Sequence, residues 1–336
     1  MLSRFFRKPK GPTADAPRHA PEPAPVDVGV DMRWRPGTRF PIPDWEAMGA
    51  AAAEADKSFL DRYYATAARQ WLDALGNALP DAEYRLRASG NFLLLSSLPE
   101  RAGTLVLGMC EQALRAIRAR LGPLASDEGH GPYVVMVFAS RESYHDYLDH
   151  YRPTDGDYAP SSGVFINAGY GHFASWHDAL DDLEPVVVHE LSHALLTHLP
   201  LPVWLNEGIA VNVEQALLPR MADPRLRLYS PAEMHARHLA WWNAGRIQAF
   251  WSGEAFHVGD GEELAYDLAA TITRLAAKQD ESAFRAFVLA AGWQDAGRGA
   301  EAELGFPLVH LVEAVLGEGD WAPRPAQWRQ PESSAD

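Results

Sequence analysis

Residues 184–214 read EPVVVHELSHALLTHLPLPVWLNEGIAVNVE, and they contain the pattern His189-Glu190-Leu191-Ser192-His193. On a helix, positions i and i+4 share a face, so His189 and His193 can point at one metal ion. Glu190 follows the first histidine by one residue and therefore points about 100° away from it, toward where a water would sit. Two imidazoles and an adjacent carboxylate are the minimum set for zinc-assisted hydrolysis.

The surrounding residues favour a helix. Asp181 and Asp182 offer capping side chains, and Glu184 places negative charge near the positive N-terminal end. Pro185 suits a first turn, where its missing N–H is not needed. The run Val186-Val187-Val188 opposes a helix by propensity, but Leu191, Ala194, Leu195, Leu196 and Leu199 restore it. Pro200 and Pro202 stop it. A second helix is expected from Pro202 or Val203 to about Leu217. It carries Trp204-Leu205-Asn206-Glu207-Gly208-Ile209-Ala210, with Glu207 fourteen positions after His193. That gap lets the chain turn at the prolines and bring a carboxylate back. Two histidines and one glutamate leave a fourth position for water, as in a catalytic rather than a structural zinc site.

H-E-L-S-H followed by W-L-N-E-G-I-A resembles the gluzincin clan of zinc metallopeptidases. The second motif is similar to the W-L-N-E-G-F-A stretch of the zinc aminopeptidases. The gap between the motifs is shorter here, as in small bacterial peptidases of the clan. The resemblance implies zinc (Zn2+) held by His189, His193 and Glu207, with Glu190 as general base. It also implies an α+β, zincin-like fold, with a mixed sheet followed by metal-binding helices and a C-terminal helical part. The motif pair covers about 30 residues, and a looser likeness spans residues 85–320. In gluzincins the sheet's edge strand upstream of the metal helix pairs with extended substrate, a role that would fall on residues 161–171, SSGVFINAGYG. Aminopeptidases carry a glutamate there for the substrate's free amine. Gly163-Val164-Phe165-Ile166-Asn167 has no acid, so an endopeptidase acting on peptide or protein substrates is expected. The alternative is a non-catalytic zincin-fold module that binds a peptide or protein; a complete H-E-x-x-H speaks against it. Tyr266, 59 positions after Glu207, lies at a distance broadly like that of the aminopeptidase tyrosine that stabilises the oxyanion, although its surrounding motif differs. His257 is the next candidate for that role. Glu214, two helical turns beyond Glu207 on the same face, is expected to support a ligand imidazole.

The rest of the chain sets bounds. A formal net charge of −15 over 336 residues, with no long basic stretch in the body, argues against nucleic-acid binding. The single cysteine, Cys110, excludes an intramolecular disulfide and a multi-Cys zinc site, and its apolar surroundings predict an inert thiol. Residues 1–10, MLSRFFRKPK, lack a following apolar segment, and no 18-residue apolar run offers a transmembrane helix. A cytoplasmic protein is expected, with membrane-surface association through residues 1–10 as the alternative. Nothing sets an oligomeric state.

Four segments are expected: a tail and lead-in over 1–40, a helical segment over 41–80, the catalytic domain over 81–322 and a loose tail over 323–336. Strand-like runs fall at Tyr84–Ser97, Tyr133–Phe138 and Gly163–Ala168, with helices at about Pro99–Leu121 and Arg141–His150. Residues 219–262 look irregular. Their Trp241, Trp242, Phe250, Trp251 and Phe256 suit either a cleft lining or a hydrophobic plug. Helices are expected at 262–278, 281–291, 296–304 and 307–316. His172 and His177 read as loop histidines. His198 falls off the metal face. His235 and His238, at i and i+3, lack further ligands for a second metal.

Overall fold

Phe92–Leu95 and Tyr133–Phe138 are continuous apolar runs, and such strands are stable only with both faces covered. The computed structural model describes residues 29–126, 129–151, 163–166, 168–176, 183–219, 229–257 and 259–328. It has a mixed five-stranded sheet: β1 (Arg85–Ala88), β2 (Phe92–Ser96), β3 (Tyr133–Phe138), β4 (Gly163–Ile166) and β5 (His172–Trp176), in the order β1-β2-β3-β5-β4. β2, β3 and β5 run parallel, and β1 and β4 are antiparallel edges. One face, with Phe92, Leu94, Val135, Val137 and Phe173, packs on α3 (Glu100–Leu121) and α5 (Leu183–Leu196). The other, with Leu93, Leu95, Val134, Met136 and Ala174, packs on α1 (Trp45–Ala51), α2 (Lys57–Ala78) and α4 (Arg141–Leu148). Residues of the 41–80 segment thus share a core with the sheet.

The C-terminal half is helical. α6 (Val203–Leu217), α7 (Pro231–Trp241), α8 (Arg246–Ser252), α9 (Glu262–Gln279), α10 (Glu281–Ala290), α11 (Glu301–Leu304) and α12 (Val309–Leu316) follow the sheet. The fold class is α+β, as expected. Among the described residues no helix is long and apolar enough to cross a membrane. The basic segment 1–10, Asp181, Asp182 and His177 lie outside the described residues.

Several expectations need correction. Tyr84–Ser97 is a hairpin rather than one strand. Its turn is clamped by Glu111 of α3, which accepts from Ser89 Oγ, Asn91 N and Asn91 Nδ2 at 2.7–2.8 Å. Residues 219–262 are not irregular where described: α7 begins at a capping box of Ser230 and Glu233, and α8 follows. Their Trp242, Phe250, Trp251 and Phe256 are core residues, so the plug reading holds. The tail expected to be loose stays packed as far as Trp328, because Gln248 Oε1 accepts from Arg324 N and Trp328 Nε1. Cys110 is buried, which pushes its thiol up to about 12. His238 links helices: it accepts from Trp242 Nε1 at Nδ1, and its Nε2 lies 2.8 Å from Asp267, while His235 is exposed.

His172 is no loop residue. It sits on β5, fully buried, with Nδ1 2.7 Å from the Tyr170 carbonyl and Nε2 2.7 Å from the Tyr147 hydroxyl. A carbonyl only accepts, so Nδ1 carries the proton and Tyr147 donates to Nε2. Burial pushes this imidazole down to about 4, against an ordinary 6.5. The unfolded chain therefore binds the extra proton between those values. Its contribution to stability is complete above about pH 6.5 and is lost as pH falls toward 4, on the order of 3 kcal/mol in all. Urea unfolding at pH 7 and pH 5 should show this loss, and His172→Gln should flatten it. Equal pH slopes for the two proteins would refute the assignment.

Candidate metal centre

α5 is amphipathic in an unusual direction. Leu183, Val187, Leu191 and Leu195 face the core, while His189, Glu190, His193 and Ala194 share the half-open side. α6 crosses this side and presents Glu207 and Glu214. Its position depends on Gly208: a Cβ there would collide with Thr273 Oγ1 and the Ala269 carbonyl of α9. The glycine after Glu207 therefore serves helix packing, and the packing aims the carboxylate.

The three expected ligands converge. His189 Nε2 lies 3.2 Å from Glu207 Oε2 and 3.1 Å from His193 Nε2, and His193 Nε2 lies 3.4 Å from Glu207 Oε2. Ligand bonds of about 2.0–2.1 Å at tetrahedral angles separate neighbouring donor atoms by about 3.3–3.4 Å. The triangle thus has the size a four-coordinate ion requires. The proton positions agree. His189 Nδ1 lies 3.3 Å from Glu214 Oε2, so that nitrogen is the donor and the Nε2 lone pair faces inward. Lone pairs of two neutral imidazoles and a carboxylate directed at one point repel each other unless a cation or protons lie between them. Among the described residues, His189, His193 and Glu207 form a group that can hold a metal ion. Their side chains remain 14–18% exposed, so the site is reachable from solvent.

The electrostatics favour positive charge here. Burial is the largest single effect on His189 and lowers its pKa. Hydrogen bonds to Glu207 and Glu214 together outweigh it and hold the imidazole well above its ordinary value. His193 is raised for similar reasons, against burial, by the charge of Glu207. Burial also opposes the ionised form of Glu207, but the two histidines hold it well below the usual carboxylate range. Glu190 goes the other way: burial raises it, and the histidines offset only part of that.

Glu190 is held by a contact that side-chain types do not announce. Its Oε2 accepts the Phe165 backbone N–H at 2.8 Å. Alternate N–H groups of a strand point to opposite sides. Phe165 therefore turns its N–H away from β5 and toward the site, on the edge of β4 that no described strand pairs with. Gly163 allows this closeness, because a Cβ there would strike Val186 Cγ1 of α5.

Two expected participants stand further along the chain. Tyr266 lies on α9, half-buried, its ring edge-on to Phe256 at 5.2 Å between centroids. His257 is exposed at the end of the short turn Glu254–Phe256. His193 Nδ1 and Asn206 Oδ1 are both buried without a hydrogen-bond partner among the described residues.

Glu214 Oε2 sits 3.3 Å from His189 Nδ1, and Glu214→Gln is expected to weaken metal affinity about 10- to 100-fold. Competition against a chromogenic chelator measures this directly; unchanged affinity would remove Glu214 from the site. No protein-family model matches the chain, and no curated protein matches it in sequence.

Proposed function

We propose that this protein is a zinc-dependent hydrolase of the gluzincin type that cleaves peptide bonds, within chains rather than at their ends. The observation that carries the reading is the triangle of His189 Nε2, His193 Nε2 and Glu207 Oε2, with the carboxylate of Glu190 one residue from the first ligand. The element order supports a zincin-like fold: a mixed sheet with an antiparallel edge strand, then the two-histidine helix, the glutamate helix and a helical remainder.

Zinc, when bound, supplies Lewis acidity that polarises the scissile carbonyl and brings water's pKa toward about 7. Glu190 accepts a proton from water and delivers it to the leaving amine. Its burial raises the carboxyl, which brings it closer to a working pH near neutrality. The Phe165 N–H fixes the direction of that carboxylate. No described strand pairs with the outer edge of β4, and its backbone groups other than the Phe165 N–H, which Glu190 takes, can meet an extended chain, which favours a peptide over a small-molecule substrate. The absence of an acid in Gly163–Ile166 supports internal cleavage.

The test is a digest of a peptide library by the zinc-loaded protein, with new termini read by mass spectrometry. Internal cuts are expected; no cuts in any peptide would overturn the reading. Tyr266 is proposed to donate a hydrogen bond to the developing oxyanion. Tyr266→Phe should lower kcat by about 10²-fold with zinc content unchanged. If kcat does not move, the role passes to His257 or to no side chain.

A further inference from the structure

A cleft of about 1650 Å³ opens beside the metal centre. It is lined by Phe165, whose N–H holds Glu190, and by Ala194, the residue after His193. From there it crosses Phe92 and Tyr133, at the starts of β2 and β3, and reaches the flank of α2. α2 presents Arg62, Ala65, Thr66 and Arg69 to the cleft. These are positions i, i+3, i+4 and i+7 of one helical face, while Tyr63, Ala67 and Trp71 of the same helix are buried.

The charge of this lining is inverted relative to the chain. Among the described residues, Arg35, Lys57, Arg62 and Arg69 stand against two carboxylates, Glu46 and Asp61, and Arg118, which has a partner of its own, also lines the cleft. Asp61 is already engaged, 2.8 Å from His130 Nδ1. The whole sequence has 30 Lys and Arg against 45 Asp and Glu, so the cleft is a local positive strip on a negative molecule. Arg35, Lys57 and Arg69 are exposed and make no ion pair with any described residue. A rim of unpaired cations in a concave site focuses field on whatever enters. Arg62 and Arg69 are seven residues apart, about 10.5 Å along the helix. That is roughly three residues of extended peptide, so one acidic segment can meet both.

We infer that this cleft receives the substrate on one side of the scissile bond and selects peptide segments that carry Asp or Glu. The inference rests on the peptidase reading, and it adds a substrate class. The chain's formal net charge of −15 disfavours acidic chains in general, which leaves this strip to decide where they bind.

The experiment compares two peptides that differ only in Asp and Glu versus Asn and Gln beside a cleavage point found in the library digest. The zinc-loaded wild type should favour the acidic peptide in kcat/KM by about three- to tenfold at low salt. The preference should vanish at 1 M salt, where the screening length is about 3 Å. In the double variant Arg62→Glu/Arg69→Glu the ratio should fall to one or below. The salt series on wild type keeps the test independent of how the variant folds. A second arm measures fluorescence anisotropy of the labelled acidic peptide with Glu190→Gln protein, which needs no hydrolysis. If no peptide is cut yet the acidic peptide binds in a salt-dependent way that charge reversal abolishes, the peptidase reading falls and the cleft's selection of acidic peptides stands without a scissile bond. If peptides are cut without acidic preference, or with a preference that survives charge reversal, the cleft assignment falls and the peptidase reading stands. Tighter binding of a single-stranded oligonucleotide of equal charge would overturn the assignment to peptides, and absence of both cutting and binding would overturn both readings.

Discussion

Glu190→Gln is expected to keep one zinc per chain and the wild-type fold while losing about 10²–10⁴ in kcat. The argument is geometric as well as chemical. Glutamine matches glutamate in shape, and its amide oxygen can still accept the Phe165 N–H that orients Glu190 at 2.8 Å. It cannot accept a proton from water. Burial already disfavours the carboxylate at this position, so a neutral amide should not destabilise the protein. Three measurements belong together: zinc by inductively coupled plasma mass spectrometry, the melting temperature, and steady-state kinetics on a peptide from the library digest. Undiminished turnover would remove Glu190 from the mechanism. A variant that lost its zinc would show instead that Glu190 helps to build the site.

His193→Ala should lose most of the metal, and with it hydrolysis. Removing one of three ligands leaves His189 and Glu207, too few to hold an ion against a chelator. The consequence reaches stability. A metal that binds only the folded chain at a thousand times its Kd stabilises by about 4 kcal/mol. Wild type should therefore melt several degrees lower after chelation, and His193→Ala should show almost no response to chelator. Acid should act like the chelator, because imidazoles must be deprotonated to bind metal. The pH at which metal leaves is raised by the carboxylates of Glu207 and Glu214, which hold His189 above its ordinary value. Full zinc occupancy in purified His193→Ala would refute the ligand assignment.

The parts of the site legible in the sequence share one property: each is a local pattern. The spacing of His189 and His193 is set by helical periodicity, and the helix spans Leu183–Leu196, ending one turn before the Leu199 and Pro200 expected to close it. The helix carrying Glu207 and Glu214 starts after Pro202 and runs from Val203 to Leu217. Glu214 at seven positions past Glu207 reached His189 for the same reason. β5 was missed because His172, Ser175 and Trp176 make it look like a loop. Its polar groups are tolerated inside only because Tyr147 and the Tyr170 carbonyl satisfy His172. α7 carried a readable start in Ser230, Pro231 and Glu233, which the surrounding aromatic residues obscured.

The sequence by itself determined which residues can converge, His189, His193 and Glu207, and the helices that carry them, because a 3.6-residue period converts spacing directly into a shared face. It also carried the two central strands, Phe92–Ser96 and Tyr133–Phe138, as apolar runs that the fold buries on both faces. Tertiary structure alone decided how close the two metal helices come. That depends on Gly208 against Ala269 and Thr273, residues more than sixty positions away. It alone decided that Phe165 holds Glu190, since a backbone N–H is the same in nearly every residue and leaves no trace in side-chain type. And it alone gathered Arg35, Lys57, Arg62, Arg69 and Arg118 into one cleft. Charge is counted along a chain but acts through space, so a net of −15 conceals a positive strip until the fold brings its members together.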